Sequence, residues 1–252
     1  LYFSLHVRHF ERLTTTPRPW GESVRKTDSV AIQGLLFDFD GLLVDTETPS
    51  RLVWEELYRE HGHELPQDQW ATLVGTIGAP FDPFDHLEEL VGRRLDHQAL
   101  TTRRRAREHE LTDLEELRPG VEDYFRDAER LGLSTAVVSS SDDEWIERHL
   151  GRLGHLEGLD AIVAANGDTA RAKPRPDLYL DALERLGLRA DEAIAFEDSP
   201  NGVSAAKAAG LACVAVPNPI TATLALDEAD LVLESLADVP LPELLERFEQ
   251  PG

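Results

Sequence analysis

Two carboxylates, Asp38 and Asp40, stand two residues apart where the apolar run "GLLF" (34–37) ends. A second acidic pair, Glu197 and Asp198, closes the run "AIAF" (193–196). Ser139 ends "TAVVS", and Lys173 follows "AIVAAN" within "RAKPRPD". Carboxylates crowded onto one site repel each other and raise each other's pKa. A bound divalent cation relieves that conflict. A set of oxygen donors without His or Cys selects a hard ion, and Mg²⁺ is the usual one where phosphate is also present. Ser139 can donate to a phosphate oxygen, and Lys173 adds a compact positive charge. Only three of the 25 basic side chains are Lys, so a Lys at this point fits a need for a point charge rather than a planar fork.

These residues must be brought together by the elements that carry them. From Pro119 onward, short apolar runs (133–140, 161–166, 192–198, 212–217 and 231–236) alternate with helical patterns. "VEDYFRDAERLG", "PDLYLDALERLG" and "SPNGVSAAKAAG" each repeat apolar residues at helical spacing and stop at Gly. The opening run "VAIQGLLFDFD" reads as a further central strand. Strands alternating with helices predict a doubly wound α/β parallel sheet. Ligands bind outside the carboxyl ends of strands in such sheets, which is where the acids, the hydroxyl and the ammonium fall.

Between about Glu47 and Arg118 no strand pattern occurs. "ETPSRLVWEELYREHG", "PQDQWATLVGTIG", "PFDHLEELVG" and "DHQALTTRRRAREHELTDLEEL" all read as helices. The expected organisation is an α/β core from 29–46 and 119–250, interrupted by an all-helical insertion over 47–118. Residues 1–28 are read as an extension outside the fold. The basic cluster "RRRAR" (103–107) is expected to be a solvated, ion-paired helix face. His61 and His63 lack metal-ligand company, and "GTIG" (75–78) is too short for a phosphate-cradling loop. Ser141, Asp142 and Asp143 are expected to cap the helix that follows them, as Asp198 or Ser199 would before Pro200.

With these placements, "DFDGLLVDTE", "VVSS", "KPRPD" and "FEDSPNG" resemble, in order, the four motifs of the haloacid dehalogenase (HAD) superfamily of phosphohydrolases. The spacing is similar to the β-phosphoglucomutase-like branch, which has a helical cap after the first motif. The resemblance spans roughly residues 30–236. It implies a Rossmann-like core and a Mg²⁺-dependent phosphatase. The substrate would be a small phosphorylated metabolite such as a sugar or polyol phosphate, cleaved through an aspartyl-phosphate intermediate. Asp38 then resembles the nucleophile and Asp40 the general acid/base. Ser139, Ser140 and Lys173 match groups that hold the phosphoryl. Asp198 completes the metal site with Glu197 beside it, Asp38 gives a carboxylate oxygen and Asp40 its backbone carbonyl. Dehalogenases of the superfamily lack the second Asp, so "DFD" points to phosphoryl transfer. A sugar-phosphate mutase is the alternative. The β-phosphoglucomutase pattern carries a His and an Arg where this chain offers Ser50 and Gly78, and that disfavours it. A phosphate-binding module without activity is a third reading.

Composition bounds the partners. The chain of 252 residues has 48 acidic side chains and a formal charge of −23, which repels nucleic acid and anionic membranes. No apolar run reaches membrane-span length. The single cysteine, Cys213, excludes an internal disulfide and fits a reducing, cytoplasmic setting, and its apolar context reads as packing. A monomer is the default expectation.

Overall fold

A computed structural model describes residues 31–70, 73 and 81–249. The "GTIG" loop and Gly78 lie outside these. Six strands form one sheet in the order β3-β2-β1-β4-β5-β6. They are β1 (Gly34–Phe37), β2 (Ser134–Ser139), β3 (Ala161–Ala164), β4 (Ala193–Glu197), β5 (Ala212–Ala215) and β6 (Leu231–Val232). Every pairing is parallel. Phe37 is in register with Val137 on one side and Phe196 on the other. The residues after each strand therefore leave at the same edge. Strand order reverses at β1, so a crevice opens beside its carboxyl end.

Alternation along the central strands sorts side chains onto two faces. Leu35, Phe37, Val137, Ile194 and Phe196 enter one core, covered by α5 (Val121–Leu131), α6 (Asp143–Leu153) and α9 (Leu241–Glu249). Leu36, Ala136, Val138, Ala193 and Ala195 enter the other, covered by α7 (Asp177–Leu186) and α8 (Pro200–Ala208). The second face is built mostly from Ala and Val, which lets α8 bring Ala205 and Ala206 close to the sheet.

Among the described residues, the segment between β1 and α5 contains helices and no strand. They are α1 (Glu47–Glu60), α2 (Gln67–Trp70), α3 (Pro83–Val91) and α4 (His97–Thr112). They share a separate core of Trp54, Leu57, Tyr58, Leu65, Trp70 and Leu87. Just before helix α1, the Asp45 carboxylate accepts from the amide and hydroxyl of Thr48 in its first turn. Helix α3 has Asp82 as an N-cap, accepting from the Phe84 and Asp85 amides, with Pro83 at its first position.

Three boundaries differ from the sequence reading. The pattern expected to be helical through Leu117 stops at Thr112, because Leu117 instead bridges to Val44 and the Arg118 amide donates to Leu43 O at 2.8 Å. Pairing with the outgoing chain replaces the last helical turn. The final apolar run yields a strand of two residues, after which Ser235 caps a 3₁₀ turn. Helix α9 carried no assignment in the sequence reading. No described helix is long and apolar enough to cross a membrane.

The return to the sheet passes through Gly120, with φ +88°. A Cβ there would collide with the Ala237 amide nitrogen, whereas Gly132, also at positive φ, has open space around it. Gly132→Ala is expected to cost about 1 kcal/mol, the left-handed penalty alone. Gly120→Ala is expected to cost at least about 3 kcal/mol, because strain and a backbone collision combine. Urea midpoints of the two variants check this. Equal losses would mean that the return is not packed as described.

Candidate active site

The carboxyl ends of β1, β2 and β4 and the loop after β3 meet at one cleft of about 920 Å³. Asp38 is 6% exposed and follows β1, with its amide bonded to Phe196 O. Its Oδ1 accepts from Lys173 Nζ at 2.5 Å. That ammonium also donates to Val138 O at 2.8 Å and pairs with Glu197 Oε1 at 2.7 Å. The Tyr179 hydroxyl donates to the same Glu197 oxygen. One buried cation thus holds three strand ends together.

Oxygens of Asp38, Glu197 and Asp198 lie within 4.8 Å of one another. Among the described residues this is the only such cluster of potential metal ligands. Asp198 Oδ2 accepts from Asn218 Nδ2 at 2.7 Å, and Asn218 is itself fixed by the Ile220 and Thr221 amides. Glu197 is fully buried, and its Oε2 has no hydrogen-bond partner. Gly202 gives the Glu197 carboxylate its room, since a Cβ at that position would collide with Oε2. An all-oxygen cluster with an unpartnered buried oxygen fits a hard divalent cation.

Burial pushes Asp38 up to about 8, against the pull of Lys173 and with further upward pressure from Glu197 and Asp40. Asp198 is raised well above the usual carboxylate range by burial, then by Asp38 and Glu197. Lys173 is raised by Asp38 and Glu197 in spite of its burial, so it stays charged. Glu47, lining the cleft at the start of α1, is pushed up to about 8 by its enclosure, then by Asp40 and Asp38.

Asp40 has different surroundings. Its Oδ1 accepts from Thr46 Oγ1 at 3.0 Å and Trp145 Nε1 at 2.9 Å. Its Oδ2 accepts from Ser139 Oγ at 3.1 Å and Ser141 Oγ at 2.6 Å. Two carboxylates on one strand end are thereby separated in role, one against a buried ammonium and one in a ring of neutral donors.

The structure brings Asp38, Asp40, Ser139, Ser140, Lys173, Glu197 and Asp198 to the one edge. Ser140 Oγ accepts from the Lys173 amide at 3.2 Å. Ser141 corrects the sequence expectation: its hydroxyl donates to Asp40 and caps nothing, because the turn after β2 aims it into the cleft. Asp142 occupies the N-cap position of α6 without a side-chain bond. Ser199 is the cap of α8, accepting from the Gly202 amide, which leaves Asp198 to the cleft. In the basic cluster Arg103, Arg104 and Arg107 are ion-paired as expected, yet Arg104 and Arg105 also line the cleft. Cys213 is buried in β5, and burial raises its thiol.

Sequence reasoning missed Asn218, Trp145, Thr46 and Arg118. Asn218, in "VPNPIT", follows a strand on the productive edge, and that position was its signal. Arg118 donates to Gly41 O at 2.5 Å, Val216 O at 3.2 Å and Pro217 O at 2.9 Å, tying the loops after β1 and β5 to the end of the helical segment. Nothing local in the sequence announces that role.

A family model described as haloacid dehalogenase-like hydrolase matches residues 32–210. The chain belongs to the haloacid dehalogenase-like hydrolases. It is 45% identical over 217 residues to the putative phosphatase YhcW of Bacillus subtilis, covering 86% of this chain and 98% of that one. It is 32% identical to the validoxylamine A 7'-phosphate phosphatase of Streptomyces hygroscopicus subsp. limoneus, over 83% of this chain and 96% of the relative. It is similar to the crystal structure of a mutant CbbY from Rhodobacter sphaeroides in complex with xylulose 1,5-bisphosphate. That match has a TM-score of 0.66 and 29% identity, and covers 82% and 96% of the two chains. The family inferred from the four motifs is borne out, and this HAD-like hydrolase is of the phosphatase kind.

The raised carboxyls have a measurable consequence. Glu47, with an ordinary value of 4.5 and a folded value of about 8, holds a proton in the native state that the unfolded chain has released between those values. Stability of the chelated protein is therefore expected to fall as pH rises from about 5 to about 8. Asp38 adds to the same trend. A divalent cation that binds the Asp38, Glu197 and Asp198 cluster should restore the lost thermal midpoint at the upper end, because binding favours deprotonated ligands. A midpoint flat across this range, with and without metal, would contradict the assignment.

Proposed function

We propose that the chain is a Mg²⁺-dependent phosphatase that cleaves a small phosphorylated metabolite through an aspartyl-phosphate on Asp38. The observation that carries this reading is the unequal treatment of Asp38 and Asp40. A nucleophile needs to be aimed and to have its charge offset, and Lys173 lies against Asp38 at 2.5 Å, opposing the burial that raises its pKa. A general acid/base needs a proton route, and Asp40 sits among hydroxyl and indole donors on the cleft wall. Pairs of carboxylates in contrasting environments mark acid/base and nucleophile assignments.

In this mechanism Asp38 attacks phosphorus while Asp40 protonates the departing alcohol. Asp40 then takes a proton from the water that attacks the aspartyl-phosphate. Lys173, Ser139 and Ser140 hold the phosphoryl oxygens. Asp38, Asp198, Glu197 and the Asp40 carbonyl would hold Mg²⁺, which supplies charge neutralisation for the phosphoryl oxygens. Residues 47–118 act as a cap over the cleft, and α4 sets what enters. Ser50 lines the cleft where the β-phosphoglucomutase pattern carries a His, and the lack of a cation at that position favours hydrolysis over phosphoryl return. The buried single cysteine supports a cytoplasmic location.

Sugar or polyol phosphates are the expected substrate class, in keeping with relatives named for a validoxylamine phosphate and solved with a pentulose bisphosphate. Arg105 lines the cleft and forms no ion pair among the described residues. Its charge there favours a substrate with a second anionic group.

Phosphate release from a panel of sugar and polyol phosphates, with Mg²⁺ and with chelator, tests the activity. Turnover is expected only with metal, and no turnover on any substrate would overturn the reading. Asp38→Asn is expected to abolish turnover and phospho-enzyme labelling, and a fully active variant would mean that another residue is the nucleophile. Arg105→Ala is expected to raise KM about tenfold for bisphosphates, the loss of about 1.4 kcal/mol of charge-assisted bonding, with monophosphates changed less. Equal effects on both would remove Arg105 from selection.

A further inference from the structure

Trp145 is the least expected donor in the cleft. It stands on the first turn of α6, and its indole Nε1 donates to Asp40 Oδ1 at 2.9 Å. Two imidazoles contact the ring. His149, one turn along α6 and fully buried, meets it edge-on with centroids 4.2 Å apart and stacks at 6.2 Å on Phe39, between the two acids. Neither ring nitrogen of His149 has a hydrogen-bond partner, Nδ1 standing 3.8 Å from Asp113 Oδ1, so the imidazole meets Trp145 as a packed ring. His109, from α4, also meets Trp145 edge-on, with centroids 4.9 Å apart.

The indole is therefore a three-way contact between an acid, the sheet domain's helix and the helical segment. Of the four donors to Asp40, Ser139 and Ser141 belong to the end of β2 and move with the sheet. Thr46 lies at the exit into α1, and Trp145 touches α4 through His109. The two donors to Oδ1 are thus the ones that adjoin the helical segment, Thr46 along the chain and Trp145, itself on the sheet domain's α6, through its contact with His109, while both donors to Oδ2 belong to the sheet. A carboxylate held that way has its orientation set by the relative position of the two parts.

We propose that Trp145 is a positioning residue for Asp40, and that its contact with His109 makes the aim of that carboxylate depend on where α4 sits. The proposal rests on Asp40 as the acid/base of the phosphatase reading. Trp145 has no part in bond making. Its N–H holds one oxygen of Asp40, and its ring carries the position of α4 to that bond. A helical segment seated over a substrate and one swung away would then present Asp40 differently, so proton transfer would be favoured when the cleft is occupied.

The test has a spectroscopic arm and a kinetic arm. The chain contains four Trp, so the indole N–H signals in a ¹⁵N–¹H spectrum are few, and Trp145→Phe assigns the one that vanishes. Asp40→Ala and, separately, His109→Ala are expected to shift that signal and to leave the others in place. An unmoved Trp145 signal in Asp40→Ala overturns the contact, whether or not a substrate has been found. In the kinetic arm, Trp145→Phe keeps the ring packing and loses the donor. It is expected to lower kcat about 10-fold or more, the scale of one hydrogen bond to a charged group, with KM within about threefold. His109→Ala is expected to lower kcat by a smaller factor. The double variant should lose less than the product of the two, since both act through one contact. Wild-type kcat in Trp145→Phe overturns the positioning role. A raised KM with kcat unchanged makes Trp145 a surface for the substrate and also overturns it. Multiplicative losses in the double variant remove the link to α4. If the wild-type enzyme turns over nothing, the phosphatase reading fails and the indole shifts decide the contact by themselves.

Discussion

A single ammonium inside the sheet's carboxyl edge governs the site. Lys173 pairs with Asp38 and Glu197 and donates to Val138 O while only 5% exposed. Taking one charge out of water costs several kcal/mol unless partners compensate, and three carboxylates without a cation would be worse. The buried Lys makes the acids tolerable, and the acids make the buried Lys tolerable. That mutual dependence requires β1, β2 and β4 to end level with one another, which the parallel register provides. A one-residue slip of any of these strands would turn its acid or hydroxyl to the other face.

The rest of the architecture preserves that alignment. Large apolar side chains pack one face of the sheet, where Phe37 stacks on Phe196 at 4.9 Å and Tyr124 abuts Phe196 edge-on. Small residues on the other face admit α8 so closely that only Gly at 202 leaves room for Glu197. Gly41 has a similar constraint: a Cβ there would lie 2.5 Å from both Asn218 Nδ2 and Asp198 Oδ2. The demands of the charged edge therefore extend into the sequence of a helix and a loop.

Much of this was legible in the sequence because strand ends are a one-dimensional signal. An apolar run that stops in Asp or Glu announces both the strand and the direction in which its charge leaves. Asp38, Asp40, Glu197 and Asp198 were readable in that way, Ser139 as the hydroxyl that ends its own strand, and Lys173 from the loop after a strand and from the scarcity of Lys in the chain. Partners supplied by tertiary contact were not. Trp145 reads as an ordinary aromatic on an amphipathic helix, and its meeting with Asp40 depends on how α6 docks. Asn218 sits on the right edge but in a loop whose course no periodicity describes. The end of α4 was overrun because residues 113–117 keep helix-forming composition, while pairing with Val44 and Leu43 decides their path. Ser141 was misread because capping is a local rule and the competing acceptor is 101 residues away.

Arg118 has an unusual set of partners for a guanidinium in an acidic protein. It spends its donors on three backbone carbonyls, none of them charged, while Asp198 and Asp45 act on it through space. Its positive charge is consequently left whole. Burial pulls its value down, but a guanidinium does not titrate in the physiological range, so this charge persists at any working pH. The acidic edge thus has a permanent positive charge near it besides Lys173. Because that charge is fastened to Gly41 O, Val216 O and Pro217 O, it holds the loops after β1 and β5 to each other as well as to the start of α5.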